Sequence, residues 1–233
     1  MSRWNGPDWE EKELSRVKLA PSLLNADFSD LRRAVSYIEG VADIIHLDVM
    51  DGNFVPNITF GPLVVKALRS ITGMPLDVHL MIAHPAEYVE DFVAAGADWI
   101  SFHAEVTRHP GEMLGLIRSY GKRAGLVISP QTPAQRIFDY LDLMDFALVM
   151  TVMPGFGGQK IIPAALGKVG GIKEEAARQG LDLEVEVDGG VKTENLGLVL
   201  EAGTDIVVVG SSIYAAADPR QASLDIRKIL DRT

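Results

Sequence analysis

The chain of 233 residues contains no cysteine. That excludes a disulfide framework and any thiolate metal site, and it suits a reducing compartment such as the cytoplasm. Positive charge is in the minority: 22 Lys+Arg stand against 32 Asp+Glu, for a formal charge of -10. A nucleic-acid partner favours a basic face, so none is expected. No apolar run approaches membrane-spanning length, so no membrane partner is expected either. The opening MSRWNGPDWEEKELSR lacks the apolar centre of a signal peptide. Residues 1–16 are read as a polar N-terminal extension and 17–233 as a single catalytic domain, because no linker, low-complexity stretch or shift in composition divides the rest.

What is present is a regular alternation. Eight β-rich runs are predicted at 17–24, 42–51, 76–82, 99–105, 124–129, 146–152, 183–188 and 205–210, each followed by an amphipathic segment. Pro62, Pro85, Pro133 and Pro219 stand where first helical turns begin, with Thr132, Thr193 and Asp218 as N-caps. Gly73, Gly96, Gly121, Gly180 and Gly203 stand where helices should end. Eight β-α pairs in this length predict an α/β fold, a (β/α)8 TIM barrel. A doubly wound open sheet is disfavoured, since the first β-α turn, PSLLNADFSD, has no glycine-rich dinucleotide fingerprint.

In such a barrel the chemistry gathers at the C-terminal ends of the strands. The polar residues fall there: Ser22, His46 and Asp48, His79, His103, Asp188 and Ser211. Alternate strand residues share a face, so His46, Asp48 and Met50 point one way, as do Asp77, His79 and Met81. His46, Asp48, His79 and Asp188 can therefore converge as an N/O donor set suited to Zn2+, with Fe2+, Mn2+ and Co2+ as alternatives. A buried unpaired carboxylate is expensive, and a metal is the simplest partner for Asp48 and Asp188. Plainer roles fit other residues. His103 is as well read as a hydrogen-bonded core residue, and His84 and His109 as surface loops. Asp77 can be an acid that supports a ligand from behind or lie in a wet strand end, the latter being preferred; Asp51 is read as a turn residue before Gly52, and Met50 and Met81 as core fillers. Met153 precedes a Pro-Gly turn and is placed at a pocket wall.

Three glycine-bearing strand ends stand side by side: PGFGGQ from Pro154, DGG from Asp188 and GSS from Gly210. Their backbone N–H groups can approach an anion closely, and barrels often bind phosphate after the last two strands. A phosphate-bearing small molecule is the partner this suggests.

The motifs HLDVMDGNFVPN, DVHLM, VMTVMPGFGGQ, VEVDGG and VVVGSS, in this order, closely resemble those of the ribulose-phosphate 3-epimerase family. The resemblance runs from about Lys18 to the C-terminus. It implies a cytoplasmic enzyme of the pentose phosphate pathway, an isomerase that interconverts D-ribulose 5-phosphate and D-xylulose 5-phosphate through an enediolate. It also implies one divalent metal per subunit and a homo-oligomer, dimer or hexamer. Carried over by residue, His46, Asp48, His79 and Asp188 match the metal ligands, and Asp48 and Asp188 the acid–base pair. Ser22, His79, Gly155, Phe156, Gly157, Gly158, Asp188, Gly189, Gly190, Gly210 and Ser211 match substrate contacts. Met50, Met81 and Met153 match methionines lining the sugar. Ser129-Pro130-Gln131-Thr132, Ile161-Ile162 and the long lead-in depart from the family pattern. D-Allulose 6-phosphate 3-epimerase and a non-catalytic sugar-phosphate-binding protein are the competing readings.

Overall fold

The computed structural model describes residues 17–232; the predicted N-terminal extension lies outside them. All eight predicted β-runs are strands: β1 (Lys18–Pro21), β2 (Ile45–Met50), β3 (Leu76–Met81), β4 (Trp99–His103), β5 (Arg123–Ile128), β6 (Phe146–Met150), β7 (Glu184–Asp188) and β8 (Ile206–Val209). They form one parallel sheet in the order β1-β8-β7-β6-β5-β4-β3-β2. The ring closes between β1 and β2 through a bridge from Ser22 to His46 and through Asp43 N–H donating to the Leu19 carbonyl at 3.0 Å. This is the expected (β/α)8 barrel in one domain.

The helices between strands are α1 (Leu31–Ser36), α2 (Pro62–Arg69), α3 (Val89–Ala95), α4 (Pro110–Ser119), α5 (Pro163–Arg178), α6 (Leu196–Glu201), α7 (Ser211–Tyr214) and α8 (Pro219–Leu230). Pro62 and Pro219 open their helices as predicted, and the Asp218 carboxylate caps α8 by accepting from Gln221 N–H. Two caps differ. After β5 the chain forms a 3₁₀ run, Ala134–Tyr140, with no capping side chain; the Thr132 hydroxyl donates to Glu105 instead. α6 begins at Leu196 rather than after Thr193, because Asn195 turns the chain, accepting from Lys192 N–H and donating to the Gly190 carbonyl.

The strand pleat sorts side chains into two environments. Outward residues such as Leu47, Val49, Val78, Leu80, Ile100, Leu126 and Val187 pack under the helices in the main core. Each such burial is worth about 1.5–3 kcal/mol. The inward residues are layered along the axis. At the bottom, the Trp99 and Phe146 rings pack at a tilt with centroids 5.3 Å apart, with Ala20, Ile206 and Val208 around them. Arg123 covers this plug, its guanidinium 4.0 Å from the Trp99 ring and bonded to Glu184. Above the plug the interior becomes polar, and the hydrophobic floor is what keeps that polar layer away from bulk water at the far end.

The plug depends on one missing side chain. A Cβ at Gly125 would lie 2.5 Å from Cε2 of the buried Phe146 ring. Gly125→Ala should therefore destabilise the protein by about 1–3 kcal/mol through overpacking. Chemical denaturation checks this; an unchanged midpoint would mean Phe146 can move aside freely.

Candidate functional site

The polar layer is built from inward positions on β2, β3, β4 and β7. His46 and Asp48 come from β2, Asp77 and His79 from β3, Ser101 and His103 from β4, and Glu186 and Asp188 from β7. All but Asp188 are buried, and Asp188 is only slightly open to the pocket above. The predicted donor set converges: ligand atoms of His46, Asp48, His79 and Asp188 all lie within 4.8 Å of one another. Asp48 Oδ1 is 3.4 Å from His46 Nε2 and 3.2 Å from His79 Nδ1. Asp188 Oδ2 stands slightly farther off, at 4.0 and 3.9 Å.

These residues fit a divalent metal. Tetrahedral donors each about 2.0–2.1 Å from a cation lie roughly 3.3 Å apart, close to the Asp48 spacings. His46 Nδ1 faces Asp77 Oδ2 at 2.6 Å, which assigns the ring proton to Nδ1 and turns the Nε2 lone pair toward the acids. His46 Nε2 is buried and has no hydrogen-bond partner. A buried nitrogen that faces two carboxylates and can give up a proton to offer its lone pair is what a cation site requires and what a merely structural histidine avoids.

The electrostatics point the same way. Burial opposes charge on Asp48, but the charges and hydrogen bonds of His46 and His79 outweigh it and hold its carboxyl well below the ordinary range. Burial, followed by the charge of Asp48, pushes Asp188 up to about 7. Burial would strip the proton from His46, yet Asp48 and Asp77 overcome it and raise the ring well above its usual value. His79 goes the other way: burial, reinforced by His103, pulls it down to about 4, leaving it neutral. The carboxylates therefore demand positive charge at this point, and without a cation the His46 proton supplies it.

Asp77 corrects its sequence reading. It is fully buried and bonded to His46, so it orients a donor rather than sitting in a wet strand end. The expectation failed because Asp77 is the second residue of β3, deep in the barrel rather than at its mouth. Beside it lies Glu186, which sequence reasoning missed. Its Oε1 is 3.3 Å from His46 Nδ1, and burial together with the Asp77 charge raises its carboxyl to about 8. The signal was available: Glu186 shares a face with Asp188 two residues on. His103 is a buried, hydrogen-bonded residue, but its partner is His79, Nε2 to Nε2 at 2.9 Å. Glu105, also missed, contacts His103 Nδ1 at 3.2 Å. His84 and His109 are exposed, and Asp51 accepts from Asn53 and Phe54 N–H in the expected turn.

Around the donors runs the pocket. Ser22 Oγ donates to Asp48 Oδ2 at 2.6 Å. Met50 and Met81 are buried beside Val55 and so serve as core and wall at once. Met153 is 42% and Phe156 54% exposed, on the rim. The glycine segments 155–158, 189–190 and 210–211 line one side of the same pocket. The rim loop is fastened by Asn57 Nδ2 donating to the Gly155 carbonyl and by Gln159 Nε2 donating to the Met153 and Phe156 carbonyls. At Gly190 (φ 68°) only glycine fits, since a Cβ would meet Ile161 N at 2.5 Å.

Known proteins match this chain along nearly all its length. The model of the ribulose-phosphate 3 epimerase family matches residues 18–214. A ribulose-phosphate 3-epimerase of Bacillus subtilis (strain 168) is 49% identical over 213 residues, covering 91% of this chain and 98% of that one. One of Escherichia coli (strain K12) is 43% identical, covering 93% and 97%. Among solved structures, a KGPDC from Streptococcus mutans superposes with a TM-score of 0.73 at 16% identity, covering 93% and 98%. At that identity the likeness speaks for the barrel alone. Among the described residues no helix is long and apolar enough to cross a membrane.

Two outcomes follow for the donor set. Coordination needs His46 neutral and Asp188 ionised, whereas the metal-free protein protonates His46 and, below about pH 7, Asp188. Cation binding must then release protons, and affinity should rise between about pH 6 and pH 8. Calorimetric titration with Zn2+ in buffers of different ionisation enthalpy measures both; a flat or falling affinity would contradict the assignment. Asp77→Asn should weaken metal binding by about 10–100-fold in competition with a chelator, because the ring proton of His46 loses its anchor.

Proposed function

The chain belongs to the ribulose-phosphate 3-epimerase family, and from that premise we propose that it interconverts D-ribulose 5-phosphate and D-xylulose 5-phosphate at C3. The observation that carries this reading is a pair of carboxylates, Asp48 and Asp188, facing one pocket from β2 and β7, which stand apart in the ring with β1 and β8 between them. Epimerisation beside a ketone removes a proton from one face of the carbon and returns one to the other. Two separated acid–base groups suit that task where one does not.

In this reading one carboxylate takes the C3 proton and the other delivers from the opposite face. The charge state of Asp48 favours an ionised base, and Ser22 Oγ fixes its orientation by donating to Oδ2. His46, Asp48, His79 and Asp188 would hold a divalent metal, with Zn2+ favoured by the two imidazoles and two carboxylates. Such a cation, when bound, supplies Lewis-acid stabilisation of the negative charge that develops on the substrate oxygens. Met50 and Met81 offer a polarisable, aprotic wall that gives no competing proton to a planar intermediate. The glycine segments present N–H donors toward the phosphate, and the exposed Phe156 and Met153 on the rim exclude water when substrate is bound. The cysteine-free, acidic chain suits the cytoplasm.

Metal-loaded protein incubated with D-ribulose 5-phosphate in D2O should yield D-xylulose 5-phosphate carrying deuterium at C3, read by NMR, and faster than it converts D-allulose 6-phosphate. Faster turnover of the six-carbon sugar would transfer the assignment to that substrate. Asp48→Asn and Asp188→Asn should each lower kcat by about 10²–10⁴-fold, with metal content measured in parallel. Near-normal turnover by either variant would sink the two-carboxylate scheme.

A further inference from the structure

We propose that the side-chain amide of Asn25 is a specificity determinant: it donates a hydrogen bond to the substrate's phosphate from among the backbone donors of the glycine segments. This inference rests on the sugar-phosphate reading above and adds a residue to which no role has been given so far.

Asn25 ends a 3₁₀ turn, Leu23–Asn25, that directly follows β1. Ser22 caps the turn, its Oγ accepting from Leu24 N–H at 3.2 Å, and Ala26 N–H closes it on the Leu23 carbonyl at 2.9 Å. Ser22 is itself tied to Asp48. The position of Asn25 is thus set by the same serine that orients a catalytic carboxylate.

From there the amide reaches between two glycine segments. A Cβ at Gly157, in the loop after β6, would lie 2.9 Å from Asn25 Oδ1 and 3.1 Å from Nδ2. A Cβ at Gly210, at the end of β8, would lie 2.8 Å from Oδ1. Neither glycine has a positive φ, so backbone conformation does not demand glycine at either position. The Asn25 amide instead occupies the space that a side chain at either position would enter. The two glycines come from strands that are separated by β7, and between them lie Gly189 and Gly190 at the end of that strand. The Asn25 side chain is therefore an exposed group on the pocket wall, set against the glycine segments on either side of β7.

Two further observations give it work. Among the described residues the Asn25 side chain makes no hydrogen bond, although it lines the pocket. Among the described residues the pocket wall also contains no lysine or arginine. A phosphate dianion must then be held by neutral donors, and a side-chain amide that can turn its NH2 inward adds a strong one, since hydrogen bonds to charged groups exceed neutral ones.

The test compares Asn25→Ala with the isosteric Asn25→Asp, each loaded with Zn2+. Calorimetry should show inorganic phosphate binding weakened by about tenfold in Asn25→Ala, and by more in Asn25→Asp, where the shape is kept but a like charge faces the anion. The KM for D-ribulose 5-phosphate should rise by similar factors, while kcat changes less. If Asn25→Asp bound phosphate and sugar phosphate as the wild type does, or if either variant lost kcat with KM and phosphate affinity unchanged, Asn25 would be only a packing residue and the proposal would fall. Wild-type protein that binds phosphate, with the Asn25 dependence intact, but epimerises neither sugar phosphate would overturn the proposed function and sustain this inference. Normal wild-type epimerisation with indifferent Asn25 variants would do the reverse.

Discussion

Buried negative charge at the barrel centre is the constraint on which the rest of the structure depends. Asp48 and Asp77 are almost wholly enclosed, Glu186 and Asp188 stand beside them, and the imidazoles of His46 and His79 are the nearest bases. In a low-dielectric interior such a group cannot remain fully ionised without compensation. The protein solves this in graded fashion. Asp48 stays charged, Asp188 and Glu186 are pushed toward the neutral form, and His46 keeps a proton that burial would otherwise remove. A divalent cation among the same donors would relieve the conflict more completely than a single proton. The site is thus a place of stored electrostatic tension, and under the proposed function the two carboxylates would draw on that arrangement.

The barrel makes the tension tolerable. Its lower interior is sealed by Trp99, Phe146 and the Arg123 guanidinium, and its outer face is glued to the helices by aliphatic side chains. Neither zone contributes chemistry. Together they fix strand register, and register decides that residues 46, 48, 77, 79, 186 and 188 all face inward. In-register pairs such as Asp48 with His79 and Met150 with Asp188 show how directly strand alignment sets the site. A one-residue slip of β2 would turn His46 and Asp48 outward into the aliphatic layer.

Most of this was legible because barrel strands write a strong signal: short apolar runs between glycine and proline punctuation, with polar residues at one end. All eight strands and the four convergent donors could be read that way. What escaped lay at depths or distances that alternation alone does not encode. Asp77 and Glu186 share faces with His79 and Asp188, so their inward direction was readable, but their partnership with His46 spans three strands that are not consecutive in sequence. Thr132 looked like a helix cap, yet its hydroxyl is taken by Glu105, which comes from the end of another strand. Asn25 carries no signal of its own; only the packing of two glycines against it reveals its place.

The two imidazoles of the donor set end on carboxylates by different routes, and the difference has a physical consequence. His46 reaches Asp77 directly through Nδ1. His79 presents Nδ1 to the site, so its remaining nitrogen must carry the proton and donate to His103 Nε2. His103 then holds its own proton on Nδ1, toward Glu105 Oε2. Glu105 stays ionised: burial works against its charge, but the hydrogen bonds from His103, the Thr132 hydroxyl and the Ser129 N–H help hold it down to about 2. Lys168 fastens the loop that supplies those donors, through the carbonyls of Ser129, Pro130 and Thr132. An anion near the surface therefore dictates which nitrogen of a fully buried ring is free, two hydrogen bonds away. That direction of control, from Glu105 inward, makes the lone pair of His79 a property of the whole β4–β5 edge rather than of one residue.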